Sequence, residues 1–317
     1  MIFISFIIAF LINFIFTPWI KKYFANKGIV DKPDFRSQHL KPIVRVGGIS
    51  IFSSFIITLI IVHFFGLINF EGTFGLSFLT TILLGSSLIF IVGLVDDLLN
   101  LSPFVRLFLQ FSTASLMYVG NIRIEVIQFP YLSNIDLPIV LSYIITILWI
   151  VGITNAINWL DGLDGLISGI IFIYFFGLVI SSTIIQESNL AITSAIISGS
   201  CLGFLKYNKY PASIIMGDSG SNFLGFILSI FSIYAFKTIN SEINFHYSLI
   251  FLCLPILDMI FVIIKRILNK KSPFYPDRNH IHHRLLRNGF NETNTVLIIY
   301  SIVFVTSLSL ITYLKIS

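Results

Sequence analysis

The chain has 317 residues, of which 56% are hydrophobic and only 11% charged, with a mean hydropathy of +0.93. Soluble domains carry about 25% charged residues, so this composition excludes a soluble enzyme and a disordered chain. The net charge of +5 sits on basic residues that border apolar runs, which points to phospholipid or a phosphorylated substrate and to no nucleic acid.

Ten apolar runs follow in chain order, at residues 2–20, 46–65, 74–95, 103–119, 137–160, 163–185, 190–205, 221–236, 247–268 and 295–314. A membrane-crossing helix needs about 20 such residues. The expected fold is an all-α polytopic membrane protein, one domain over 1–317, with about ten transmembrane helices. The runs at 190–205 and 221–236 are short, and are to be extended by their flanks, tilted or interrupted. The first run lacks a preceding basic region and a small-residue cleavage site, so it reads as a span and not as a cleaved leader. Cys201 and Cys253 lie in apolar runs without a CxxC pair and read as core hydrophobes.

If successive connections alternate sides, those after the first, third, fifth, seventh and ninth runs share one side. Only Arg123, Lys237 and Lys315 fall on the other, leaving 17 of the 20 Lys and Arg residues on the first. The positive-inside rule makes that side cytoplasmic and puts both termini outside. The same side holds most of the polar residues suited to chemistry. Its connections carry DKPDFRSQHLKPIVRVGG, GLVDDLLNLSP, NAINWLDGLDG, MGDSGSN and PDRNHIHHRLL, while the other side has only Glu71, Glu125, Asp136, Glu187 and Glu242. Charges near hydrocarbon are costly and mark function. The expectation is a cytoplasmic-face active site formed by five loops.

Asp96 and Asp97 are adjacent carboxylates at a helix end that disfavours negative charge, so a cation should compensate them. Oxygen-only ligands suit Mg²⁺ or Mn²⁺. Ser102 and Pro103 read as N-cap and first residue of the next helix, and Arg106 and Gln110 share a face near its start. Arg106 reads either as a phosphate ligand or as a positive-inside anchor. Asn155, Asn158, Asp161 and Asp164 recur every three residues, so on a continuing helix Asn158, Asp161 and Asp164 fan across one polar arc; a plain polar turn is the alternative. MGDSGSN reads as a helix N-terminus capped by Asp218 or Ser219, whose free N–H groups could bind phosphate and whose carboxylate could hold a metal. PDRNHIHHRLLRNG reads as a short helix capped by Asp277 and stopped by Gly289. On it His280, His283, Arg284 and Arg287 share a face and His282 points elsewhere. The flanking arginines favour an anion or sugar–phosphate over zinc. For Asp258, inside the ninth run, a substrate or metal-shell function and a structural pairing both stand open.

Taken together, VDKPDFRSQHLKP with RVGG (30–48), DDLLNLSP (96–103), NAINWLDGLDGL (155–166), MGDSGSNFLG (216–225), PILD (255–258) and SPFYPDRNHIHHRL (272–285) make the chain resemble the bacterial polyprenyl-phosphate N-acetylhexosamine-1-phosphate transferases, relatives of phospho-MurNAc-pentapeptide translocase. The resemblance covers almost the whole chain. It implies an Mg²⁺-dependent reaction at the bacterial inner membrane. Undecaprenyl phosphate attacks the β-phosphorus of a UDP-N-acetylhexosamine, UMP leaves, and the lipid-linked sugar enters cell-surface polysaccharide synthesis. By motif position, Asp218 matches a metal ligand. Asp96 and Asp97 match an acidic pair assigned to metal, lipid-phosphate positioning or base catalysis. Asn158, Asp161 and Asp164 match residues around the nucleotide and diphosphate, and His280, His282 and His283 match a sugar-recognition motif of the N-acetylglucosamine type.

The expected site is therefore Asp96, Asp97, Asp161 and Asp164 as catalytic residues, Asn158, His280, His282, His283, Arg284 and Arg106 on the substrates, and Asp218 with Asp97 on Mg²⁺ or Mn²⁺. The expected partners are the UDP-sugar, undecaprenyl phosphate and the bilayer, with a homodimer left open. Phosphoryl transfer needs mainly positioning and charge neutralisation. A phosphate with a second pKa of about 6 is already mostly dianionic at neutral pH, so Asp96 is expected to position and not to deprotonate. A secondary transporter with an acidic relay is the alternative class. The GxGD of intramembrane aspartyl proteases and the HExxH of zinc proteases are absent from the sequence.

Overall fold

Each apolar run seeds a helix. The protein, seen as a computed structural model, is described over residues 1–31, 42–68, 75–127, 135–234, 245–272 and 277–316. In chain order the helices are α1 (Ile2–Asn26), α2 (Gly48–Phe64), α3 (Leu76–Leu99), α4 (Pro103–Val119), α5 (Ile139–Leu160), α6 (Leu166–Ile184), α7 (Ser188–Asn208), α8 (Gly217–Tyr234), α9 (Phe245–Phe251), α10 (Cys253–Leu268), α11 (Ile281–Arg287) and α12 (Glu292–Ile316). Two short strands, β1 (Val126–Ile127) and β2 (Ile135–Asp136), pair antiparallel between α4 and α5. Lys32, Arg36, Lys41, Glu71, Lys237, Glu242 and residues 273–276 lie outside the described residues.

Five helices, α1, α3, α5, α6 and α7, are long and apolar enough to cross a membrane; α9 and α10 add a sixth if the pair is one span. The chain is thus mostly helical, with the character of a multi-pass membrane protein. The weak run at 190–205 gains its length from its flanks, as α7 extends from Ser188 to Asn208. The run at 247–268 is not one rod: α9 and α10 meet at 75°. Pro255 lies in the first turn of α10, where its missing N–H costs no helical bond but forbids continuation of α9.

All of α8 except Asp218 is buried, and α2, α3, α5 and α6 pack around it. A helix enclosed on every side needs close backbone approach more than apolar bulk, hence its many Gly and Ser residues. A Cβ on Gly48 of α2 would lie 2.2 Å from the Gly220 nitrogen of α8. The outer helices turn large apolar side chains outward, such as Phe3, Leu11 and Ile15 on α1 and Phe104, Phe108 and Val119 on α4. In a bilayer such faces meet lipid without penalty.

Candidate active site at the N-terminus of the central helix

Asp97, in the last turn of α3, meets the start of α8. Its Oδ1 accepts the Asp218 N–H at 2.7 Å and its Oδ2 the Ser219 N–H at 2.9 Å. The helix N-terminus expected to offer free N–H groups to phosphate is therefore capped from across the bundle, by a carboxylate stabilised by the positive end of the helix dipole. Gly217 permits this approach: its φ is +78°, and a Cβ would sit 2.6 Å from an Asp97 oxygen. Asp97, expected as catalyst and metal ligand, has a fully buried side chain with both oxygens engaged by α8.

The neighbouring Asp96 faces α4. Its Oδ1 accepts the Leu101 N–H at 2.7 Å, and its Oδ2 lies 2.6 Å from Arg106 Nη1. That nitrogen also lies 3.2 Å from Asp218 Oδ2, so one guanidinium joins two acids. The expected start of α4 is found, with Ser102 capping Val105 and Pro103 next to it, and it aims Arg106 at Asp218. Asn158, near the end of α5, donates to Asp218 Oδ1 at 3.0 Å and to Ser221 Oγ at 2.9 Å. Arg45 reaches Asp218 Oδ1 at 3.6 Å and Asp97 Oδ1 at 3.7 Å. Arg45 was read as the first residue of the RVGG motif and as one of the basic residues beside an apolar run, without a role of its own. Its segment is held by backbone bonds from Ile215 to Val44 and from Gly47 to Ile215, which sequence spacing does not reveal.

Asp218 opens onto a cavity of about 770 Å³, with Asp161, Asp164, Arg45, Lys21, Arg278 and His283 among its walls. Helix α5 ends at Leu160, with Asp161 as its C-cap, so the three-residue repeat does not continue as a helical arc; its last acids lie in the turn before α6. Burial, with Asp218 adding to it, pushes the Asp161 carboxyl up to about 7. Asp164 Oδ2 accepts the Ala212 N–H at 2.7 Å, fastening this turn to the segment that precedes α8. Tyr300 of α12 donates to the Gly165 carbonyl of the same turn at 2.5 Å.

Asp277 does not cap the histidine helix. It pairs with Arg266 at 3.2 Å and with Asn279, and Arg266 lies over the Trp159 ring at 4.8 Å. Against the opposing effect of burial, Arg266 and Asn279 hold the Asp277 carboxyl below its usual range. The cap is Asp258 of α10, which accepts the Ile281 N–H at 2.7 Å, His280 Nδ1 at 2.8 Å and Arg284 Nη2 at 3.2 Å. Of its two open readings, Asp258 thus makes the structural pairing. His280 and Arg284, expected to face a ligand, turn to Asp258 and are not among the residues lining the cavity. Only His283 of the expected face lines it. His282 is fully buried, and a Cβ on Gly162 would lie 2.4 Å from its Nε2. Burial, then the other two histidines, lowers its pKa to about 2. His283 falls to about 4, from burial and then His280 and Arg278. Gly289 follows the helix at φ +91°, the stop expected.

The oxygen donors suit Mg²⁺. Among the described residues no three acidic, histidine or cysteine side chains gather as a complete cage. Mg²⁺ commonly takes one or two carboxylates and completes its shell with substrate phosphate and water, and Asp218 on an open cavity fits that mode.

Comparison with known proteins places the chain in a family. Residues 79–236, which include α3, α4, α5 and α8, match the family model described as glycosyl transferase family 4. The chain is 35% identical over 308 residues to a probable undecaprenyl-phosphate N-acetylglucosaminyl 1-phosphate transferase of Bacillus subtilis, covering 97% of this chain and 84% of that protein. It is 32% identical to the undecaprenyl-phosphate alpha-N-acetylglucosaminyl 1-phosphate transferase of Thermotoga maritima, covering 93% and 86%. With the decaprenyl-phosphate N-acetylglucosaminephosphotransferase of Mycolicibacterium smegmatis it shares 28% identity over 92% of this chain and 77% of that protein. These names give no support to a secondary transporter. The chain belongs to glycosyl transferase family 4, among its polyprenyl-phosphate N-acetylglucosamine-1-phosphate transferases.

Proposed function

We propose that the protein transfers N-acetylglucosamine-1-phosphate from UDP-N-acetylglucosamine to undecaprenyl phosphate, releasing UMP and leaving an undecaprenyl-diphospho-sugar in the membrane. The observation that carries the reading is Asp218, held by a foreign cap, a guanidinium and an amide on the wall of a cavity with both acidic and basic residues. A diphosphate carries several charges, and both signs are needed to bind and orient it. Arg45, Arg278 and Lys21 supply cationic contacts for the donor phosphates. Asp161 and Asp164 border the nucleotide. Bound Mg²⁺ would neutralise diphosphate charge, with Asp218 as its protein ligand. Asp97 serves by fixing Asp218 and Asp96 by fixing Arg106; neither is asked to remove a proton.

The ten helical runs, with α9 and α10 as one broken span, act as ten crossings of the bacterial inner membrane. The acid end of the bundle faces the cytoplasm, where sugar nucleotides are found and where 17 of the 20 Lys and Arg residues collect. Purified protein mixed with undecaprenyl phosphate and a panel of UDP-sugars, with and without Mg²⁺, tests the reading. The expected result is UMP and lipid-linked sugar in equal amounts, greatest with UDP-N-acetylglucosamine and abolished by chelation. Sugar nucleotide crossing sealed vesicles with no UMP released would overturn it.

A further inference from the structure

Three helices bring a polar side chain to the acid cluster: Arg106 on α4, Asn158 on α5 and Asp218 on α8. Each carries a carboxamide one turn further into the bundle. Helices α4 and α8 run away from the cluster, so theirs come four residues later, at Gln110 and Asn222. Helix α5 runs towards it, so its amide comes three residues earlier, at Asn155. These three amides are bonded to each other. Asn155 Nδ2 donates to Gln110 Oε1 at 2.6 Å, and Gln110 Nε2 donates to Asn222 Oδ1 at 3.2 Å. Asn222 Nδ2 closes the chain on the Asp218 carbonyl at 2.9 Å, and Asn155 is fixed to its own helix through the Val151 carbonyl at 2.8 Å.

We infer that Gln110, Asn155 and Asn222 are positioning residues for the transfer, an amide tier that sets the rotational register of the helices presenting Arg106, Asn158 and Asp218. Every donor in the tier points the same way, so turning any one amide over would set like groups against each other. Gln110 and Asn222 are almost wholly buried, where an amide that loses its partner finds no ready substitute. Rotating a helix by one residue swings its side chains by about 100° and would break the chain of bonds. Hydrogen bonds between membrane helices contribute little to stability on average. Three amides kept directly beneath three reacting-site residues therefore suit geometry better than bulk stability. A shift of about 1 Å at a reacting group can cost about a hundredfold in rate. The inference rests on the reading of Asp218 as the centre of the site, and its test separates the two.

The test uses full-length protein in lipid or detergent, with Asp218→Ala as benchmark. Gln110→Met keeps the side chain's length and removes its polarity. The expected result is a kcat reduced about tenfold or more, with the KM for the UDP-sugar little changed and the Tm lowered only as far as two amides left without their partner require. A length swap guards against a variant that fails to fold. Gln110→Asn alone should lose turnover, and Gln110→Asn combined with Asn155→Gln should recover part of it, because the pair again spans the gap between α4 and α5 while the bond to Asn222 stays weakened. Wild-type kcat in Gln110→Met beside an inactive Asp218→Ala would overturn the inference and leave the site intact. Losses that multiply in the swap would also overturn it. An active Asp218→Ala would overturn both.

Discussion

The acid cluster and the histidine helix are both capped by a carboxylate from another helix, and they differ in what surrounds the cap. Around Asp218 two arginines, one amide and the Asp97 cap engage all four carboxylate oxygens of Asp97 and Asp218. At α11 the backbone start and two side chains are gathered by a single buried acid, Asp258, while among the described residues neither ring nitrogen of His282 has a hydrogen-bond partner. The contrast teaches that the protein fixes the geometry of its charged centre by ionic and capping bonds before any substrate arrives. The histidine helix has such bonds at its start, through Asp258, whereas its His282 is placed by burial against Gly162.

The substitution expected to separate these regions most sharply is Asp218→Asn. It preserves shape and removes charge where the transferred phosphate must be neutralised. UMP release should fall by about 10²–10³-fold, with the protein still eluting as folded material. Asp97→Ala should come next and should strike rate and stability together. It leaves two N–H groups of α8 uncapped, which costs about 1–2 kcal/mol and lowers the Tm, and it frees Asp218 to shift, which costs turnover about tenfold or more. Wild-type Tm in Asp97→Ala would break the assignment of Asp97 as a cap.

Acid should loosen the histidine helix first. The folded-state pKa of His282, about 2, lies below the ordinary value near 6.5, so the unfolded chain takes up the proton more readily. Its contribution is full above about pH 6.5 and falls by about 1.4 kcal/mol for each pH unit below it, towards pH 2. Thermal unfolding at pH 7.5 and pH 5 should show the loss in the wild type and a flatter dependence in His282→Leu. The shift of Asp161 runs the other way. With a folded pKa of about 7 above the ordinary value near 4, its contribution is present below about pH 4 and is lost as pH rises through 7. In metal-free buffer Asp161→Asn should raise the Tm at pH 8 and leave it unchanged at pH 4.

Much of the helical framework was legible, because apolar runs between polar connections leave few alternatives. The convergence of acids was legible for a related reason: charged residues beside hydrocarbon need each other or a ligand. Individual assignments failed where a bond crosses the bundle. Nothing local distinguishes Asp97, whose oxygens reach α8, from Asp96, whose oxygens reach Leu101 and Arg106. Asp277 has the spacing of a helix cap, yet Arg266 holds it and Asp258, about twenty residues earlier in the sequence, takes the cap. Arg45 stood in a quoted motif without a role, because an anchor beside an apolar run and a site cation look alike in sequence. Helix α8, the centre of the molecule, was a weak run because an enclosed helix trades apolar bulk for Gly and Ser.

The central claim is that Asp97 acts on the reaction only through Asp218. A double-mutant cycle on UMP release addresses it, with Asp97→Ala, Asp218→Asn and both together. The expected result is a double variant no slower than Asp218→Asn alone, because a cap has nothing left to hold in place for catalysis. Losses that multiply would mean that Asp97 touches the reacting groups itself, and would contradict the account.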